Sequence, residues 1–208
     1  MSGVFITFEG SEGSGKSTQI ILSESYVKAQ GKKVLVIREP GGVKISESIR
    51  EMLLDVGNSD MNQECEVLLY MAARAQLVGQ IILPALKEGA VVLCDRFFDS
   101  TVVYQGYGHQ MDLESIQRVG AFATKGLTPD LTLLFDIDTE EGLRRAGNQK
   151  DRIEQRSLEY HCRVRHGYLE LAKQEPDRIK TITVDRGKEE IFKDVKYFLD
   201  QCLGRRDG

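Results

Sequence analysis

Tryptophan is absent from this 208-residue chain, and cysteine, proline and histidine are scarce, at four, four and three residues. Cys65, Cys94, Cys162 and Cys202 are scattered without a C-x-x-C pair. That spacing suggests neither a zinc cluster nor a disulfide framework, and it suits idle thiols in a reducing cytoplasm. His109, His161 and His166 have no triad or metal-binding companions around them, so structural or surface roles are expected. No apolar run approaches the ~18 residues of a membrane span. The opening "MSGVFITFEG" has no basic n-region and no cleavage site, so neither a span nor a leader is expected. Repeats and low-complexity tracts are missing too. An excess of positive charge is also lacking: the net charge of −4 argues against a general nucleic-acid binder.

What is present describes an ordinary globular protein, with 41% hydrophobic and 29% charged residues. The length predicts a single domain over 1–208, able to bury a full core without staples. Charge is unevenly placed. From Arg144 to Arg165 there are seven Lys or Arg against three acids, one basic stretch in an acidic chain.

Short apolar runs alternate with helical patterns. Strands are predicted at 4–9, 33–38, 90–94, 131–135 and 179–184. Helices are predicted at 16–30, 45–54, 62–87 (bent near Pro84), 112–124, 139–146, 152–174 and 188–203. Continuous apolar strands between helices mean a parallel sheet covered on both faces. The fold class is therefore α/β, a three-layer sandwich with five parallel strands, and ligands should lie beyond the carboxyl ends of the strands.

The strongest motif is "GSEGSGKST", 10–18, which follows a strand and opens a helix. Gly10, Gly13 and Gly15 let the backbone turn its N–H groups inward between Ser11, Glu12, Ser14, Ser17 and Thr18, as a polyphosphate cradle requires. Lys16 would reach the β- and γ-phosphates, and the Ser17 hydroxyl would ligate Mg²⁺. This loop predicts nucleoside triphosphate binding and leaves open the use made of the nucleotide. A GTPase switch is ruled out because no D-x-x-G occurs anywhere in the chain.

A second site is expected nearby. In "VVLCDRFFDS", Asp95 and Arg96 close the third strand, the Asp placed for Mg²⁺ and the Arg for phosphate oxygens. Arg38, before "EPGG", and Arg50, one helix later, would join Arg96 in a separate anion site. Tyr70 and Arg74 share one helical face in "LLYMAARAQ", where a ring and a guanidinium can hold a base. Ser100, Thr101, Tyr104 and Gln105, in "STVVYQGYG", are read as a polar loop near a mobile glycine turn. Two phosphate sites facing each other make a phosphoryl-transfer enzyme. A kinase of another nucleotide or nucleoside, or a non-catalytic ATP-binding module, fits the loop alone equally well.

Together "FEGSEGSGKST", "REPGG", "LLYMAARAQ", "DRFFDSTVVYQG" and "DRIEQRSLEYHCRVRHGYLELA" resemble the bacterial thymidylate kinases from end to end. The resemblance implies transfer of a phosphoryl group from ATP to dTMP with Mg²⁺, in a cytoplasmic homodimer. It implies that Tyr70 stacks thymine, that Arg74 binds its O4 edge, and that Thr101 and Gln105 help read the base. Tyr104 would crowd the sugar's 2′ carbon, and Glu12 would take a hydrogen bond from the 3′-hydroxyl. Arg38, Arg50 and Arg96 would surround the acceptor phosphate. Ser14 places the chain among members that supply the transfer cation from a lid, here at about 144–152. That lid is shorter and poorer in arginine than expected. Arg152 is the first choice for the transferred phosphoryl and Lys150 the second, with Arg144 flanking adenine or phosphate.

Overall fold

A computed structural model of the chain describes residues 3–147 and 151–204. Five strands, β1 (Val4–Glu9), β2 (Val34–Arg38), β3 (Val91–Asp95), β4 (Leu131–Asp136) and β5 (Ile179–Thr183), pair in the order β2-β3-β1-β4-β5. Every pairing is parallel. The helices are α1 (Lys16–Ala29), α2 (Lys44–Leu54), α3 (Gln63–Leu77), α4 (Leu83–Lys87), α5 (Phe98–Thr101), α6 (Leu113–Thr124), α7 (Thr139–Ala146), α8 (Leu158–Gln174) and α9 (Lys188–Gly204).

The central strand β1 is buried along its whole length, its polar Thr7 and charged Glu9 included, as a strand covered on both faces must be. Successive side chains serve opposite layers. Ile6 and Phe8 pack with Ile20 and Val27 of α1 and with Val195 and Leu199 of α9. Phe5 faces the other way, onto Leu77 and the turn carrying Val78 and Ile82. The register sets Phe8 and Arg38 both opposite Asp95, so the carboxyl ends of β1, β2 and β3 lie level. The chain leaves β1 for β2 and β3 on one side and crosses later to β4 on the other. The crevice at that switch point is where the loop after β1 sits.

Three elements differ from the sequence expectations. The run Gln63–Lys87 is continuously helical but contains a π-helical turn, Val78–Ile82, ahead of Pro84. Pro84 follows that turn inside the unbroken helix, so its missing N–H leaves one carbonyl of the preceding turn without its helical donor. By length and composition this run matches a membrane span, an 18-residue window within it having a mean hydropathy of 1.4. Val67, Met71, Leu77, Ile82 and Leu86 along it are nevertheless buried within the domain.

Helix α8 begins at Leu158, not near 152, because Ser157 caps it by accepting from the Tyr160 N–H at 3.2 Å. Asp151 instead folds the preceding residues into a turn, accepting from the Ile153 and Glu154 N–H groups at 2.8 and 2.9 Å. The stretch read as a polar loop is helical and buried: α5 runs directly into a second π-helical turn, Val102–Gly108. Its last bond, His109 N–H to Tyr104 C=O at 3.2 Å, spans five residues.

Candidate active site

The loop between β1 and α1 is tight enough to demand glycine at two places. A Cβ on Gly10 (φ 140°) would lie 2.4 Å from the Phe135 carbonyl oxygen. One on Gly13 (φ 68°) would lie 2.2 Å from the Gly142 carbonyl oxygen, so α7 rests on the loop itself. Inside the loop the Lys16 ammonium donates to Gly10 O and Ser11 O at 2.9 Å and to Ser14 Oγ at 3.2 Å. Burial and the like charge of Arg96 bring its pKa down to about 8, against the pull of Glu12, Asp95 and Glu9.

Residues 12–18 line a cavity together with Arg38, Glu39, Arg50, Asp95 and Arg96. A second cavity adjoins it, and Glu12, Glu39, Arg50 and Arg96 line both. Arg96 holds a left-handed backbone (φ 65°), a strained state for a residue with a Cβ. Its N–H donates to Phe8 O at 3.0 Å, and its carbonyl accepts from the Cys94 thiol at 2.9 Å. The strain turns the guanidinium toward the loop, where Nη2 donates to Glu12 Oε1 at 2.6 Å. Tyr104 Oη donates to the same oxygen at 2.9 Å. Burial alone would raise the Glu12 pKa; the charges of Arg96 and Lys16 and the Tyr104 hydroxyl outweigh it and hold the carboxyl at about 2. Arg38 and Arg50 each donate to Pro40 O at 3.1 Å, after a cis Glu39–Pro40 peptide. Of the three arginines expected around an anion, Arg50 and Arg96 thus stand at the border of the two cavities, and Arg38 lines the phosphate-loop side alone.

Tyr70, Arg74, Ser100, Thr101, Tyr104 and Gln105 line the second cavity, brought together from α3 and from the α5 segment. Arg74 is 2% exposed and firmly engaged. Its Nε donates to Glu39 at 2.6 Å, Nη1 to Thr101 Oγ1 at 3.0 Å and Nη2 to the Phe97 carbonyl at 3.0 Å. Burial pushes Glu39 up despite that pairing. The Tyr70 hydroxyl is likewise pushed up, first by burial and then by Glu66 and Asp151.

Two expected positions fall elsewhere. Arg152, the first choice for the transferred phosphoryl, is buried: Nη1 lies 2.6 Å from Glu66 Oε2, and Nε donates to Leu53 O at 2.8 Å. It faces the helices behind the base cavity and lines neither cavity, because an unpaired buried carboxylate there would be costly. Arg144 is exposed at the end of α7, paired with Glu141 at 2.7 Å, and it too lines neither cavity. Lys150 lies outside the described residues.

Sequence reasoning misses three carboxylates and a phenol. Glu9 is fully buried and accepts from the Phe97 N–H at 2.7 Å, Ser100 Oγ at 2.6 Å and Tyr168 Oη at 2.8 Å. Burial, then Asp99, raises its pKa to about 7. Tyr168 accepts from Arg96 Nη1 at 3.2 Å. Glu39 and Glu66 hold Arg74 and Arg152 in turn. The available signal is a charged residue ending or interrupting an apolar run, as Glu9 does in "VFITFE".

A family model described as thymidylate kinase matches residues 8–195. A thymidylate kinase of Symbiobacterium thermophilum is 47% identical over 204 residues, covering 98% of this chain and 95% of that protein. One from an Exiguobacterium species is 49% identical over 207 residues, covering 99% and 96%. A crystal structure of thymidylate kinase from Ehrlichia chaffeensis matches with a TM-score of 0.79 and 32% identity, covering 96% of this chain and 99% of that one.

Proposed function

This chain belongs to the thymidylate kinase family, and on that premise we propose how its residues divide the work of phosphorylating dTMP to dTDP with ATP. The ATP phosphates lie in the cavity of residues 12–18, and the thymine ring lies against Tyr70 in the adjoining one. The acceptor phosphate sits at the border under Arg38, Arg50 and Arg96. One observation carries this reading: Glu12, Arg50 and Arg96 line both cavities, so two bound phosphates would meet there.

The acceptor phosphate oxygen then attacks the γ-phosphorus in line with the leaving ADP oxygen, and no phosphoenzyme is needed. Lys16 exchanges its bonds to Gly10, Ser11 and Ser14 for bonds to phosphate oxygens. Arg96, held by Glu12 and Tyr168, balances charge on the acceptor side, and fixed donors of this kind act without reorganising during the reaction. Tyr104 and Glu12 face the sugar. Thr101, Ser100 and Gln105 surround the base with Arg74.

Magnesium fits the donor set. Ser17 and Asp95 are oxygen ligands on the wall of the phosphate cavity, and no group of three or more His, Cys, Asp or Glu stands ready for a metal among the described residues. Mg²⁺ is usually held by one or two protein oxygens plus phosphates and water, which suits such a sparse site. When bound it would neutralise charge on the β- and γ-phosphates.

A single kinase domain over 1–208, with an arm at about 144–152, belongs to the same reading. The cations proposed to act from it are Arg144, at the end of the helix resting on Gly13, and Lys150. A homodimer is supported by Leu68 on α3 and Phe122 on α6, apolar side chains 57% and 85% exposed on helices that pack together. A cytoplasmic location is supported by four cysteines outside any disulfide, two of them exposed.

The test is a coupled assay of ADP release with a panel of monophosphates. Turnover is expected with dTMP, less with dUMP and none with AMP, GMP or CMP; another ranking overturns the substrate.

A further inference from the structure

Glu66 lies one helical turn before Tyr70 on α3, is fully buried and lines neither cavity. A carboxylate cut off from water requires partners, and these come from two separate segments. Oε1 accepts from Gln105 Nε2 at 2.8 Å and lies 3.3 Å from His109 Nε2, both on the α5 side. Oε2 lies 2.6 Å from Arg152 Nη1 and 3.3 Å from Arg156 Nη2, both in the turn before α8.

Each segment supplies part of the base cavity's wall. Gln105 lines it directly, and Arg152 sits between Asp151 and Ile153, which line it with Glu154. Arg152 also fixes the end of α2, through its Nε on Leu53 O at 2.8 Å and its N–H on Leu54 O at 3.3 Å. One carboxylate therefore joins three walls of the cavity to the helix that carries Tyr70.

Stability alone does not account for it. Replacing a buried ionic cluster by apolar side chains of similar volume is often neutral or stabilising. Some buried ionic groups serve to fix geometry, and the groups held here are Gln105 and, through Arg152, the 151–154 wall. His109, Arg152 and Arg156 face Glu66 from the elements packed against it, so both of its oxygens are held. Burial alone would raise the carboxyl; His109, Gln105 and Arg152 overcome it and keep Glu66 ionised, near 2.

We propose that Glu66 is a positioning residue for the acceptor nucleotide, holding Gln105 and the 151–154 wall in register around a base seated on Tyr70. The proposal rests on the reading that this cavity takes dTMP. It makes binding of the acceptor, and not of ATP, sensitive to a residue that touches neither.

The test is Glu66→Gln, which keeps the volume and removes the charge. The KM for dTMP should rise about tenfold, with the KM for ATP and the affinity for ATP alone within about twofold of the native chain. Equal losses for both substrates, or a lower kcat with both KM values unchanged, would overturn the proposal. Should Glu66→Gln fail to fold, Arg156→Gln carries the test, since Arg156 is 31% exposed and its loss buries no new charge. There the dTMP KM should rise about threefold with ATP unaffected, and an unchanged dTMP KM overturns the proposal. Tyr70→Ala is measured alongside. If it leaves the dTMP KM unchanged, the base lies elsewhere and the functional reading itself fails. If it raises that KM while Glu66→Gln does not, only the role of Glu66 falls.

Discussion

Arg96 Nη2 donates to Glu12 Oε1 across 2.6 Å, joining the end of β3 to the middle of the phosphate loop. An acid inside an anion-binding loop is explained by this contact: its charge is committed sideways, to Arg96 and Tyr104, while the backbone faces the phosphates. Glu12→Gln removes the ionic part of a charge-assisted bond, worth about 1.5–3 kcal/mol. The expected outcome is a fall of about 10- to 100-fold in kcat/KM for dTMP, read in steady-state assays. A variant with native turnover would show that Arg96 needs no such anchor.

Lys16 has a pKa of about 8 in the free protein. Phosphate oxygens favour the charged amine, so bound ATP should raise that value. Above pH 8 the free lysine is mostly neutral, and binding must then take up a proton. Titration calorimetry at pH 8.5, in two buffers of different ionisation enthalpy, should report uptake of up to one proton and an ATP affinity weaker than at pH 7. Proton release, or an affinity flat from pH 7 to 9, contradicts this assignment.

Arg74 and Glu39 form an ion pair with side chains 2% and 3% exposed. Removing one member strands the other, at a cost of about 3–5 kcal/mol. Arg74→Ala should therefore cut turnover of dTMP severely, spare ATP binding and lower the melting temperature. Pairing it with Glu39→Ala should recover part of the lost stability, a coupling that a double-mutant cycle measures. Additive losses would mean that the pair contributes no coupling.

Glu9 is raised to about 7, above its unfolded value. The folded chain then holds a proton that the unfolded chain has released, so stability is greatest below the unfolded pKa and declines as pH rises toward about 7. Glu9→Gln should flatten the dependence of the urea midpoint on pH between 5 and 8. An equally steep dependence in the variant would assign the titration to other groups.

A methyl group on Gly13 collides with the Gly142 carbonyl in a left-handed backbone. Gly13→Ala should raise the KM for ATP at least tenfold, as the loop and α7 move apart. Little change in that KM would mean the loop adapts freely.

The strands and the phosphate loop are legible in the sequence because both are local. A run such as "VVLCDRFF" announces its burial and its strand end within a few residues. Helical spacing places Tyr70 and Arg74 together, and the structure sets them in one cavity. Arg152 escapes such reasoning, since its partner Glu66 lies 86 positions away and its destination depends on a buried acid that local pattern cannot reveal. Glu9 and Tyr168 are hidden for the same reason: they lie 159 positions apart and meet at 2.8 Å. The start of α8 is displaced from its expected position because helix-forming residues precede Ser157, and a cap outranks propensity.

Between Val102 and Gly108 the chain winds more loosely than an α-helix. Losing Val102 or Val103 without a compensating change of winding would swing the side chains that follow by roughly 100° relative to Ser100. Tyr104 and Gln105 would then no longer share a wall with Thr101. Substitutions in this stretch can be absorbed one side chain at a time, whereas such a deletion would break up the cavity lining that Thr101, Tyr104 and Gln105 share. The count of residues is itself part of the cavity's shape.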